Sequence, residues 1–251
     1  MVYTRTQREI EKISKSCQIV ADTLIMLEKY IAPDIPVSEL DRMAEEFIRS
    51  RGARPAFKGY MGYPATLCVS IDDAVVHGIP GEKILENGQI VGIDCGAELN
   101  GYYGDHARTF AVGEVNAEKE KLMAVTCESL NRAIEQAVPG NHVGDIGYAV
   151  QSYAESNGFS VVRELVGHGI GTELHEEPQI PNFGQEKQGH LLYPGMCIAI
   201  EPMINAGAKE VYTAKDGWTI MTRDGKASAH YEHTIAITEN AAQILSVGSN
   251  G

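Results

Sequence analysis

The sequence predicts an α+β protein built from two similar halves, and three features carry that expectation. Apolar residues recur at helical spacing in four segments. Between and after these lie short runs with the two-residue alternation of half-buried strands. The third feature is an echo. Pro33, Val37, Leu40, Ala44, Phe47 and Gly52 return 106 residues later as Pro139, Val143, Ile146, Val150, Tyr153 and Gly158. Each set describes a proline-led turn, an amphipathic helix and a terminating glycine. Two readings fit the echo: a pattern common to capped helices, or a duplication whose halves face each other across a central site. The halves would divide roughly at 1–112 and 113–251. No linker rich in Pro, Gly or Ser separates them, so a single domain is expected.

The first helix is expected over 5–31, where Ile10, Ile13, Cys17, Val20, Ala21 and Leu24 make one stripe. The second follows Pro36, with Leu40, Met43, Ala44, Phe47 and Ile48 as its buried face and Gly52 as its end. Strands come next at 65–71, 89–99 and 102–112. Helices return at 117–137 and 143–157, the latter closed by Gly158. Strands near 160–166, 196–201, 211–222, 229–237 and 243–247 complete the chain.

At 251 residues the chain can bury a substantial core. With 43% hydrophobic and 22% charged residues, its composition is that of a soluble globular protein. No apolar run approaches the roughly 18 residues needed to span a bilayer, and the first sixteen residues lack the apolar core of a signal peptide. The five cysteines (17, 68, 95, 127 and 197) are odd in number and form no CxxC pair. Free thiols in a reducing cytoplasm are therefore expected. A formal charge of −13 excludes a general nucleic-acid binder, which needs clustered Lys and Arg.

The stretch IDCGAELNGYYGDHARTF (93–110) reads as a hairpin turning at Asn100-Gly101. If that pair forms a two-residue loop, Leu99 pairs with Tyr102, Asp94 with Ala107 and Asp105 with Gly96. Both aspartates then share one face as diagonal neighbours, about 7–8 Å apart at the backbone. Gly92, Gly96 and Ala107 surround them and leave room, while Val91, Ile93, Cys95, Leu99 and Phe110 form an apolar opposite face. Two such carboxylates either point at water or converge on a cation or proton. Glu201 and Glu232 interrupt strand patterns in the same way, with no basic residue adjacent. His168 lies between glycines in VGHGIG, His175 in LHEEP and His77 in VVHGIP.

These residues carry a resemblance. GYPATLCVSIDDAVVHGIP, GIDCGAELNGYYGDHARTF, ELVGHGIGTELHEEP, LLYPGMCIAIEPM and DGWTIMTRDGKASAHYEHTIAIT, in this order and spacing, resemble the type I methionine aminopeptidases over nearly the whole chain. The resemblance implies the pita-bread fold, with pseudo-two-fold duplicated halves around a central antiparallel sheet. It implies five metal ligands, which fall on Asp94, Asp105, His168, Glu201 and Glu232. It also implies removal of the initiator methionine from nascent polypeptides whose second residue is small.

Four carboxylates and one imidazole suit Co²⁺, Mn²⁺, Fe²⁺ or Zn²⁺, and bridging carboxylates let five side chains hold two ions. By resemblance, Glu201 also activates water, His175 stabilises the oxyanion and His77 contacts the scissile amide. The methionine pocket falls on Phe57, Tyr60, Tyr63, Cys68, Leu174 and Trp218. Leu174 stands where the family often has an aromatic, Phe57 where some members have cysteine, and His230 where glutamine is common. Alternation puts His230 on the face of Glu232 and His106 on the apolar face of the hairpin. His106, His142, His190 and His233 are read as structural or surface residues.

Xaa-Pro peptidases share the fold but carry a further N-terminal domain, and this sequence opens directly on the catalytic half. Type II enzymes carry a long insertion between the two glutamates, here only 31 positions apart. Binding modules that have lost their metals lack ligands that are intact here. The resemblance further implies a cytoplasmic monomer with transient ribosome contact and no membrane or nucleic-acid partner.

Overall fold

The helices of the computed structural model, which describes residues 2–249, begin and end where side chains or glycines satisfy free backbone groups. Helix α1 (Gln7–Glu28) starts two residues later than expected because Thr6 and Glu9 form a capping box. The Thr6 N–H donates to Glu9 Oε2 at 2.9 Å. Helices α2 (Val37–Ser50) and α4 (Val143–Ser156) are each 14 residues long and lie at the 106-residue offset of the echo. Each is followed by a left-handed glycine, Gly52 at φ +75° and Gly158 at φ +86°. Helix α3 (Ala117–Gln136) is capped by Asn116, whose Oδ1 accepts from Lys119 N at 2.9 Å.

The long strand Ile90–Leu99 organises the first sheet. One edge pairs over its full length with Tyr102–Ala111, and the other pairs with Leu67–Ile71 and Arg54–Pro55. The hairpin register is the expected one: Leu99 opposes Tyr102, Asp94 opposes Ala107 and Gly96 opposes Asp105. Asn100 (φ 55°) and Gly101 (φ 82°) both take the positive φ that this tight turn demands. α1 and α2 cover the apolar face, burying Val20, Leu24, Leu40 and Ile48 against Val91, Ile93 and Cys95. The second sheet has five antiparallel strands, in the order Ala242–Ile244, His233–Ile237, Cys197–Ile200, Val166–Gly169 and Glu176–Pro181. Ile134, Ile146 and Val150 of α3 and α4 share a core with Ile180, Ile198, Ile200 and Ile235 of this sheet.

A few polar contacts join the two sheets. The Thr234 hydroxyl donates to Asp105 O at 2.8 Å and accepts from Asp105 N at 3.2 Å. Glu232 N donates to Ala107 O at 2.9 Å, and Thr109 Oγ1 donates to His230 O at 2.9 Å. The seam thus fixes the hairpin that carries Asp94 and Asp105 against the segment that carries Glu232.

Three strand expectations change. The run 211–222 is a hairpin of Val211–Thr213 and Ile220–Thr222, folded back by an Asp216-Gly217 turn. Asp216 Oδ1 accepts from Trp218 N and Thr219 N, each at 2.9 Å, and Gly217 has φ +79°. The run 229–237 splits into Ser228–His230 and His233–Ile237, leaving Tyr231 and Glu232 outside both strands. The run 160–166 is strand only at Ser160–Val161 and at Val166, where Val166–Gly169 begins; that strand, Glu176–Pro181 and Met203–Asn205 are ones that the alternation did not reveal.

α1 crosses the hairpin at Gly104, beside Asp105. A Cβ there would stand 2.4 Å from Cys17 N, inside the helix backbone. Gly104→Ala is therefore expected to cost at least about 1–3 kcal/mol, read as a lowered midpoint in urea unfolding.

Candidate active site and metal centre

Three short pieces of sheet converge at the seam. The hairpin contributes Asp94 and Asp105 on one face. Cys68, on the adjacent strand, lies directly opposite Asp94. In the second sheet His168 opposes Ala199, which puts its imidazole on the face of Glu201 two residues on. His233 pairs with Ile200, so Glu232 and Glu201 face each other one step beyond the last pair. Pro202 follows and supplies no N–H to extend the ladder. The ladder opens there, and the two glutamates stand where it opens.

The result is a buried acidic cluster with no Lys or Arg bonded to it among the described residues. Asp105 and Glu232 are only 4% and 2% exposed, while Asp94 and Glu201 are half-buried. Ligand atoms of Asp105, His168 and Glu232 all lie within 4.8 Å of one another. His168 Nε2 stands 3.7 Å from Glu201 Oε1 and 4.0 Å from Asp105 Oδ2. Its Nδ1–H donates to Gly169 O at 2.9 Å, which leaves Nε2 with a free lone pair aimed at the carboxylates.

Burial is the main cause of every pKa shift in this cluster. It pushes Asp94 up to about 7. Asp105 rises well above the carboxylate range through burial, then the charges of Glu232 and Asp94. Glu201 rises through burial, then Asp94 and Asp105, and Glu232 through burial, then Glu201 and Asp94. Burial, with His175 second, lowers His168 to about 3, so its imidazole is neutral. Asp94 Oδ1 and Glu232 Oε1 are buried without a hydrogen-bond partner. Unpaired carboxylate oxygens beside a neutral imidazole fit a divalent cation site, because cations supply the missing charge and occupy those lone pairs.

A cavity of about 170 Å³ opens onto the cluster. Thirteen of its fourteen lining residues are those singled out in the sequence: the five acidic and imidazole candidates, His77, His175, Phe57, Tyr60, Tyr63, Cys68, Leu174 and Trp218. Leu174 (1% exposed), Tyr63, Cys68 and Phe57 make its buried apolar wall. The Tyr63 and Trp218 rings meet edge to face at 5.1 Å, and Tyr63 Oη donates to Leu67 O or Gly78 O, each at 2.9 Å. The fourteenth residue, Met61, sits at the mouth with φ +50° between Gly59 and Gly62, and no periodicity marked it.

On the other side lies an open cleft of about 400 Å³, lined by Val76, Leu165, Gln179 and Met203 among others. Cavity and cleft share His77, His168, His175 and Glu201. His175 Nδ1 is 2.8 Å from Tyr60 Oη, and its ring stands edge-on to His168 at 4.4 Å. His77 takes φ +59°, a conformation held at the meeting point of cavity and cleft.

One histidine departs from its sequence reading, and another, read as structural or surface, is buried and has defined partners. His230 does not lie beside Glu232 by alternation, because the strand ends between them; its Nε2 is 3.7 Å from Glu201 Oε2 and has no hydrogen bond. His106 is buried and packs flat on His233 at 4.6 Å, and its Nδ1–H donates to Glu232 O. It thus fixes the main chain of Glu232, which hairpin alternation alone could not reveal.

Fold and site together define a metal-dependent hydrolase. The model of metallopeptidase family M24 matches residues 11–239, and the chain belongs to that family. It is 50% identical over 245 residues to methionine aminopeptidase 1 of Bacillus subtilis, covering 98% of this chain and 99% of that one. The crystal structure of methionine aminopeptidase from Rickettsia prowazekii superposes with a TM-score of 0.97 at 41% identity, covering 98% of this chain and 100% of that one. Prolidase from Pyrococcus furiosus, 28% identical, gives 0.79 and covers 97% of this chain but 65% of its own. The fold is the pita-bread fold of this family.

Raised carboxylate pKa values mean that the folded, metal-free cluster holds protons that the unfolded chain has released. Stability from this source is complete below the ordinary carboxylate range and is lost as pH rises through the raised values, near 7 for Asp94. The lowered values of His168 and His230 cost stability only below the ordinary imidazole pKa of 6.5. Between about pH 6.5 and 8 the carboxylates therefore set the slope for the cluster. Chelator-treated protein should show a urea midpoint that falls over this range. Mn²⁺ titrated into it should bind more tightly at the upper end, as it displaces those protons.

Proposed function

We propose that this protein is a methionyl aminopeptidase that removes the initiator methionine from nascent polypeptides when the second residue is small. The observation that carries the reading is the asymmetry around the acidic cluster. One side is a narrow cavity with apolar, aromatic and sulfur walls, sized for one side chain, and the other is an open cleft with room for a continuing chain. A methionine thioether suits a cavity walled by Cys68, Tyr63, Phe57 and Trp218. The small volume of the cavity beyond the cluster, against the larger cleft on the other side, favours cleavage at the N-terminus over cleavage within a chain.

In this reading Asp94, Asp105, His168, Glu201 and Glu232 hold two divalent ions, Co²⁺, Mn²⁺, Fe²⁺ or Zn²⁺. Such ions, when bound, lower the pKa of water and polarise a carbonyl. Glu201, its proton affinity raised by burial and by neighbouring carboxylates, orients the attacking water and takes its proton. His175 hydrogen-bonds the developing oxyanion, its Nδ1 fixed by Tyr60 Oη. His77 contacts the scissile amide and assists departure of the amine. The roles of Phe57, Tyr60, Tyr63, Cys68, Leu174 and Trp218 are to bind the methionine side chain and exclude water.

The whole chain acts as a single catalytic domain, and the matched 14-residue helices at the 106-residue offset support an internal duplication. We place the enzyme in the cytoplasm as a monomer acting on emerging chains, with transient ribosome contact. Among the described residues no helix is long and apolar enough to cross a membrane.

The decisive comparison uses Met-Gly, Met-Leu and Xaa-Pro peptides with and without chelator and metal add-back. Rapid release from Met-Gly, poor release from Met-Leu and loss with chelator are expected; cleavage of Xaa-Pro but not Met-Gly overturns the reading. Glu201→Gln is expected to lower kcat by at least about 10²-fold while metal remains bound. Near-normal turnover of that variant removes Glu201 as the base.

A further inference from the structure

Residues 171–175 form neither helix nor strand, yet they carry Leu174 and His175 into the cavity. Three of their hydrogen bonds gather on one carboxylate. Glu176 Oε1 accepts from Thr172 N at 2.8 Å, from Thr172 Oγ1 at 3.2 Å and from Glu173 N at 3.1 Å. The Glu176 side chain is only 4% exposed, and its cation comes from the far end of the chain. Arg5 Nη2 lies 2.5 Å from both carboxylate oxygens, with its side chain 7% exposed.

The arm before α1 is seated to deliver that guanidinium. Arg5 N donates to Gly195 O at 2.7 Å, and Val2 bridges to Glu177. Glycines stand at two points of close contact. A Cβ on Gly171 would stand 2.4 Å from Arg5 Nη2, and one on Gly195 would stand 2.9 Å from Arg5 O. The guanidinium therefore lies against the start of the loop while its Nη2 holds the carboxylate that directly follows the loop.

We propose that Arg5 is a positioning residue for His175 and Leu174, so that the N-terminal arm completes the active site. The proposal rests on the reading that His175 serves the reaction and Leu174 walls the methionine cavity. A buried ion pair is a poor source of net stability, since desolvation offsets most of the attraction. Its consequence here is geometric: the guanidinium pins in place the carboxylate on which three loop donors converge. Without Arg5, the carboxylate is free to turn towards water, and the donors that shape residues 172–173 are released.

The test combines Arg5→Ala, Arg5→Lys and Glu176→Gln with His175→Ala, using metal-loaded full-length protein and a Met-Gly peptide. Arg5→Ala should lower kcat by tenfold or more, approaching the roughly 10²-fold loss of a group displaced by about 1 Å. Arg5→Lys should recover part of that loss. In the His175→Ala background, Arg5→Ala should lower kcat by clearly less than it does alone, because one of the two residues it positions is gone, and what remains should fall on KM through Leu174. Hydrogen exchange should accelerate at residues 171–176 in Arg5→Ala and not in the core strands. Glu176→Gln, which keeps the acceptor and removes the charge, should show the same pattern and serves if Arg5→Ala fails to fold. Arg5→Ala or Glu176→Gln within about twofold of wild type, or an undiminished further loss of Arg5→Ala in the His175→Ala background, overturns the proposal. So does unchanged exchange at 171–176. If the wild-type protein releases no methionine, the exchange arm still decides whether Arg5 holds the loop, so the two failures are separable.

Discussion

Four carboxylates are packed around one neutral imidazole with no basic side chain bonded to them, and the rest of the molecule is arranged to hold them there. Left alone, such a cluster resists ionisation: burial raises all four carboxylate pKa values, and neighbouring charges raise those of Asp105, Glu201 and Glu232 further. Proteins accept that cost where a cation repays it. The surrounding structure is correspondingly over-determined. The Asn100-Gly101 turn sets the register of two of the carboxylates, the ladder end carries the other two, and the Thr234 hydroxyl and His106 ring hold the main chain across the seam.

The same cluster explains the division of space around it. The strand carrying Cys68 runs beside Asp94, so an apolar wall and a charged wall meet with no polar gap between them. Phe57 presses the arrangement further: a Cβ on Gly96, between the two aspartates, would stand 2.5 Å from its ring. Room that the hairpin leaves beside its carboxylates is thus partly filled by an aromatic pocket wall. Under the proposed reading, the cavity selects a side chain by shape while the cluster next to it performs the chemistry. The histidines at the shared mouth link the two.

Much of this was legible in the sequence, and particular residues show why. The Asn-Gly pair has few conformational choices, so it revealed the hairpin register and the shared face of Asp94 and Asp105. Capped helices with a glycine stop were equally readable. Where chain geometry depends on distant contacts, reading failed. Glu232 appeared to lie within a continuous strand, because nothing local announces the break at Tyr231, which the seam imposes through Thr109 and Ala107. The hairpin at 216–217 was hidden by flanking strand-like residues that outweighed its Asp-Gly signal. His168 sits in a strand between two glycines because neighbouring carbonyls crowd both positions: a Cβ on Gly167 would meet Ala199 O, and one on Gly169 would meet Glu177 O, each at 2.3 Å. The link between Arg5 and Glu176 spans 171 positions and leaves no local mark at all.

The central claim is that these five side chains exist to hold divalent cations. Anomalous diffraction from crystals grown with Mn²⁺ addresses it directly. The account predicts two anomalous peaks enclosed by Asp94, Asp105, His168, Glu201 and Glu232, with the orphaned oxygens of Asp94 and Glu232 in contact with them. Active, metal-dependent protein whose Mn²⁺ peaks lie elsewhere, with these carboxylates still unligated, would contradict it.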